Sequence, residues 1–130
     1  QHVVDDVIAR ERVELARREE AYRAGRPAPD ARGRTVILID DGLATGSTMH
    51  AAVLALRQQE PQRLVVAVPI AAPSTCQELG REVDDIVCAA TPEPFYAVGL
   101  WYEDFSQTTD EEVRRLLQAA EEELPVAPRR

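Results

Sequence analysis

The sequence predicts an α/β fold, with a doubly wound parallel sheet flanked by helices and a long N-terminal helix. Three observations carry this. Val36-Ile37-Leu38-Ile39 and Leu64-Val65-Val66-Ala67-Val68 are short apolar runs rich in β-branched residues, the pattern of buried strands. Thr48 to Arg57 between them is a helical run. Strand, helix and strand in that order make a βαβ unit, which is parallel and right-handed.

Taken in order, residues 1–25 read as a long charged helix. Val4, Ile8, Leu15 and Tyr22 fall on one stripe, interrupted by Glu11 and Arg18. Asp5, Asp6, Glu11 and Glu14 precede Arg17, Arg18 and Arg23, which suits the helix dipole. The plain reading is a solvated helix with a narrow packed face; a dimer contact or a cover over a ligand site is the functional alternative. Gly25, Pro27 and Pro29 end it. Residues 31–34 lead tightly into the first strand, and the helix that follows ends near Gln59-Glu60-Pro61.

The second strand is expected over residues 63–70, with Pro69 at its end. Ser74 and Gln77 have the spacing of a capping box, with Ser74 as N-cap, opening a short helix to about Arg81. Residues 84–89 form a third strand, its leading Asp84 and Asp85 facing solvent. Thr109-Asp110-Glu111-Glu112 is a second capping box. It opens a C-terminal helix over residues 109–124 with apolar Val113, Leu116, Leu117 and Ala120; Pro125 ends it and residues 125–130 are a loose tail. Residues 1–124 thus read as one domain.

Composition excludes several function classes. A formal charge of −8 argues against a general nucleic-acid-binding surface. No apolar run is long enough to span a membrane and no signal-peptide pattern is present, so a cytoplasmic protein is expected. Cys76 and Cys88 suggest no disulfide framework and, with His2 and His50, lack zinc-finger spacing; they read as reduced thiols.

The chemistry concentrates where the first strand ends. Asp40 and Asp41 are followed by Gly42-Leu43-Ala44-Thr45-Gly46-Ser47-Thr48 and then by the helix. Loop and first-turn N–H groups converge there, and the helix dipole favours an anion. Gly42 and Gly46 allow close backbone approach, while Thr45, Ser47 and Thr48 can donate hydroxyl hydrogen bonds. Ionised Asp40 and Asp41 accept only, so they suit sugar hydroxyls or a Mg²⁺ shell. A ligand with a phosphate at one end and a diol nearby, such as ribose 5-phosphate, fits. A P-loop or a receiver domain would need a lysine, and all 15 cationic side chains are arginine; no G-x-G-x-x-G is present either.

This stretch resembles the 5-phosphoribosyl-1-pyrophosphate (PRPP) motif of the type I phosphoribosyltransferases. That motif is an apolar strand, two acidic residues, a few small or apolar residues, then Thr-Gly and a small residue. The Ala44-Thr45-Gly46 version is most similar to the adenine phosphoribosyltransferase loop. Hypoxanthine-type enzymes carry an aspartate at the position of Ala44, so that purine-assisting role is missing. The resemblance implies that Gly42 to Thr48 hold the 5′-phosphate. Asp40 and Asp41 would be the catalytic pair, holding the ribose hydroxyls directly or through Mg²⁺. The aromatic segment from Phe95 to Phe105 is similar to the hypoxanthine-type hood, with Phe95 covering a base and Trp101 packing nearby; a small satellite core is the other reading. His50 is a surface helix residue or a phosphate contact. Glu103 and Asp104 are general-base candidates only by proximity to the aromatics.

The family also carries an earlier βαβ region with a pyrophosphate-binding loop, and no apolar strand precedes Val36. The chain is therefore expected to be the C-terminal part of a longer protein or an excised piece. The unpaired edge of its first strand would invite a homodimer. Two functions follow from the resemblance. One is transfer of ribose 5-phosphate from PRPP to a nitrogen nucleophile, a nucleobase above all, with Mg²⁺ and release of pyrophosphate. The other is a non-catalytic domain that senses PRPP or a nucleoside monophosphate.

Overall fold

The structure, a computed structural model, describes residues 2–123, with side chains from residue 4. The expected Pro125 stop and the tail lie outside the described residues. The chain forms two compact units, one of residues Pro29–Phe105 and one of the two terminal segments.

The central unit holds a three-stranded sheet in the order β1 (Thr35–Ile39), β2 (Arg63–Ile70), β3 (Asp85–Ala90), with both pairings parallel. In register, Val36 lies beside Leu64 and Val66 beside Ile86. Helices α2 (Ser47–Arg57) and α3 (Pro73–Gly80) supply the crossovers. Both pack on the sheet face that presents Leu64, Val66 and Val68, where Met49, Val53, Leu79 and Val83 complete the core. The opposite face is apolar and open: Ile37 is 57% and Ile39 76% exposed, and Val87, across β2 from Ile39, is exposed as well. The β1 edge pairs with no described strand.

The parallel sheet, its flanking helices and the long first helix agree with the sequence reading; the details differ in four places. The capping box expected at Ser74 does not form. The N-cap of α3 is Ala72, with Pro73 at the first helical position and no side-chain cap. Proline's fixed φ starts the helix two residues early, and Ala72 is already held because its N–H donates to the Leu43 carbonyl at 2.8 Å.

Asp84 is not merely solvent-facing. One of its carboxylate oxygens accepts the Leu64 N–H at 2.7 Å and the Arg57 guanidinium at 3.2 Å, tying the start of β3 to that of β2. The Leu64 N–H, aided by the Arg57 charge, holds this carboxyl below the ordinary aspartate range. A lowered folded-state pKa means stability that is present above the unfolded value, about 3.9, and is lost as pH falls through the folded one. The urea midpoint of the wild-type chain should therefore fall more steeply on acidification below that value than that of Asp84→Asn. Identical pH profiles would contradict the assignment.

The cysteines are not reduced thiols. Cys76 on α3 and Cys88 on β3 form a disulfide across a sequence separation of 12. Spacing alone did not reveal it, because a helix and the next strand bring the two sulfurs together only after packing.

The terminal unit pairs α1 (His2–Arg23) with α4 (Asp110–Glu123). Polar contacts mark the pairing: Arg17 Nη1 reaches Asp110 Oδ2 at 2.6 Å and the Tyr22 hydroxyl donates to Asp110 Oδ1 at 2.7 Å. Hydrogen bonds from Arg17 and Arg18 hold the Glu14 carboxyl down to about 2. The predicted apolar stripe is largely unpacked, since Val4, Ile8 and Leu15 are exposed. Of the second capping box the N-cap half forms: Thr109 Oγ1 accepts the Glu112 N–H at 3.2 Å.

Candidate phosphate and ribose site

The site grows from the end of β1. The strand pairing does not stop at Ile39; it jumps over Asp40, Asp41 and Gly42 and resumes at Leu43. Leu43 forms an isolated parallel bridge with Ala71, its N–H donating to the Ile70 carbonyl at 3.0 Å. Leu43 is itself buried, so this one residue clamps the loop while its neighbours bulge outward. Asp40 is half-buried and Asp41 exposed. Asp40 Oδ1 accepts the Asp41 N–H at 2.9 Å, which orients the pair.

After the clamp the chain turns sharply into α2. Gly46 is the N-cap with φ 74°, a left-handed conformation that costs glycine little and other residues much. The first-turn N–H groups of Ser47, Thr48 and Met49 have no helical acceptor; no side chain caps the helix, and the Ser47 N–H makes only a long 3.5 Å contact to Thr45 Oγ1. Thr45 and Ser47 hydroxyls lie 3.2 Å apart at the same end.

A cavity of about 180 Å³ opens there, lined by Asp40, by every residue from Gly42 to Met49, and by Val98. Of the nine loop residues singled out in the sequence, Asp41 alone is not in its wall. Phe95 and Trp101 are not in it either; Phe95 is half-buried and Trp101 47% exposed. His50 turns elsewhere, its Nδ1 lying 2.6 Å from Glu82 Oε2. The cavity wall holds no cationic side chain, so an anion there would be met by backbone N–H groups, hydroxyls and the α2 dipole.

Three supports were not legible in the sequence. Thr75 is buried on α3, and its hydroxyl donates to the Ala44 carbonyl at 2.6 Å. The Tyr102 hydroxyl donates to the Asp41 carbonyl at 2.5 Å, tying the aromatic segment to the acidic pair. Val98, in the 3₁₀ turn Val98–Trp101, fills the space a β-carbon on Gly42 would need, at 2.6 Å. Each joins residues far apart in sequence, which no local pattern reveals. Thr75→Val keeps the shape but leaves the Ala44 carbonyl without this donor, and should cost about 1–2 kcal/mol. Urea unfolding measures it; an unchanged midpoint would contradict the contact.

The donor set also bears on Mg²⁺. Among the described residues no group of three or more His, Cys, Asp and Glu side chains could hold a metal ion. Asp40, in the wall of this cavity, and the adjacent Asp41 carboxylate fit the way Mg²⁺ is held through one or two carboxylates together with substrate phosphates.

Comparison with known proteins gives the geometry its context. A family model described as the phosphoribosyl transferase domain matches residues 3–91. The chain belongs to the phosphoribosyl transferase family. The match contains the whole loop from Asp40 to Thr48 and stops short of the aromatic segment. Proteins of two Mycobacterium tuberculosis strains, both named "Putative phosphoribosyl transferase", are each 38% identical over 124 residues, covering 95% of this chain and 28% of their own length. The crystal structure of TT1426 from Thermus thermophilus superposes with a TM-score of 0.75 at 43% identity, covering 85% of this chain and 53% of that one. This phosphoribosyl transferase chain thus spans under a third of the curated relatives' length and about half of the solved one.

Proposed function

We propose that the loop from Asp40 to Thr48 binds the ribose 5-phosphate part of PRPP or of a nucleoside monophosphate. In this reading the chain contributes that site to an enzyme that transfers ribose 5-phosphate to a nitrogen nucleophile and releases pyrophosphate. The observation that carries this is the cavity itself: a carboxylate on one side, a capless helix start with three hydroxyl residues on the other, and no cation between.

The 5′-phosphate would sit against the N–H groups at the start of α2, which supply position rather than chemistry. Asp40 and Asp41 would accept hydrogen bonds from the ribose 2- and 3-hydroxyls. Transfer at the ribose C1 develops oxocarbenium charge, and the two fixed carboxylates nearby favour it. Asp40 and Asp41 are the residues that would hold Mg²⁺ together with the ligand, and the ion would supply positive charge to offset that of the pyrophosphate. Val98 packs against Gly42 and the Tyr102 hydroxyl bonds the Asp41 carbonyl, so an acceptor would approach beside this segment.

A second reading is non-catalytic binding of the same ligand. It is favoured by the cavity wall, in which Asp40 is the one ionisable side chain among the described residues, so no general base is in place. Calorimetric titration with PRPP and Mg²⁺, beside ribose 5-phosphate, tests the binding claim. Saturable binding of both is expected, and failure of both would overturn it. Release of pyrophosphate on adding a nucleobase would exclude the non-catalytic reading.

A further inference from the structure

We propose that the Cys76–Cys88 disulfide is a thiol-exchange site whose redox state sets the shape of the phosphate loop. Helix α3 forms the back wall of that loop. Its Thr75 hydroxyl donates to the Ala44 carbonyl at 2.6 Å. A β-carbon at Gly46 would lie 2.7 Å from the Thr75 methyl and 3.2 Å from Leu79 Cδ1, so both side chains press against the turn that starts α2. The residue after Thr75 is Cys76, and its sulfur is bonded to Cys88 on β3. A short helix of 8 residues is thereby fixed to the sheet within one residue of its contact with the loop.

The bond is also approachable. Cys76 and Cys88 are only half-buried. Cys76 lines a cavity of about 660 Å³ together with Pro73, Gln77, Gly80, Ile86 and Thr91, which shares no lining residue with the phosphate cavity. A dithiol can enter there without competing with the ligand. Its thiolate attacks one cysteine sulfur, the S–S bond breaks, and the other cysteine leaves as a thiolate and takes a proton. The second thiol of the reagent then attacks the mixed disulfide. The first cysteine is released and protonated, and the reagent departs as its own disulfide. Two electrons and two protons pass to the protein.

With the bond opened, α3 loses its covalent tie to the sheet and keeps packing and the Thr75 and Ala72 hydrogen bonds to the loop, so Thr75 and Leu79 gain freedom to shift against Ala44 and Gly46. The inference rests on the phosphate-site reading, and two measurements separate their failures. The first is the affinity for ribose 5-phosphate of the oxidised chain, of the chain reduced with dithiothreitol, and of Cys88→Ser. The second is hydrogen exchange over residues 44–50 with no ligand present, which reports local opening. Reduction should weaken binding about fivefold or more and speed exchange over that segment. Cys88→Ser should match the reduced chain and ignore the reagent. Equal affinity and equal exchange in both states would overturn the coupling and leave the phosphate site standing. Absence of binding in both states would overturn the phosphate site, and exchange alone would then decide whether bond and loop are linked. A reduced chain that loses its fold altogether, seen by circular dichroism, would make the bond a staple of the fold and overturn the switch.

Discussion

Replacing Asp40 and Asp41 together by asparagine should weaken PRPP binding about a hundredfold while leaving the fold intact. Each carboxylate that accepts a ribose hydroxyl makes a hydrogen bond to a charged group, worth about 1.5–3 kcal/mol, and about 1.4 kcal/mol is a factor of ten. Asparagine keeps the size and one acceptor oxygen, so the Asp41 N–H contact can survive at position 40. The Tyr102 bond goes to the backbone carbonyl of residue 41 and is untouched. The sign of a control is informative. Inorganic phosphate has no diol and is repelled by carboxylates, so it should bind the variant no worse than the parent. Calorimetry measures both ligands, and a thermal melt confirms the fold. Equal PRPP affinity in variant and parent would remove the acidic pair from the site.

Gly46→Val should be nearly as severe, and by a different route. Position 46 has φ 74°, where a β-branched side chain is strained. Its β-carbon would also enter the space held by the Thr75 methyl, at 2.7 Å. Strain and overpacking together should cost about 2–4 kcal/mol of stability. The turn that aims the α2 N–H groups at the cavity would also shift, taking most of the phosphate affinity with it. Urea unfolding and the ribose 5-phosphate titration read the two effects separately. Wild-type affinity in a folded Gly46→Val would mean that the phosphate is held elsewhere.

These two substitutions also show which part of the molecule was legible in the sequence. Strand, acidic pair, Gly-rich loop and helix start are contiguous, so each local preference agrees with its neighbour and the candidate site's local structure can be read off residues 36–57. The same holds for β2 and for the Thr109 cap. What could not be read is what tertiary packing decides. Ser74 has the right spacing for a cap, yet Pro73 and the prior anchoring of Ala72 start the helix earlier. Asp84 looks like a surface charge until β2 and β3 pair and bring the Leu64 N–H to it. Thr75, Tyr102 and the disulfide act across 31, 61 and 12 residues of chain respectively, beyond the reach of any helical or strand period. The bare face with Ile37 and Ile39 illustrates the same limit from the other side. Those residues are apolar because a parallel strand is expected to be covered on both faces, and the described part of this chain covers one.

The central claim is that a ribose 5-phosphate docks where α2 begins. Backbone amide resonances followed during a titration with ribose 5-phosphate test it most directly. The account predicts the largest shifts, saturating together, at residues 44–49, with smaller ones at Asp40 and Asp41. Saturable binding whose shifts fall on other residues, or no shift at 44–49 at any concentration, would contradict it.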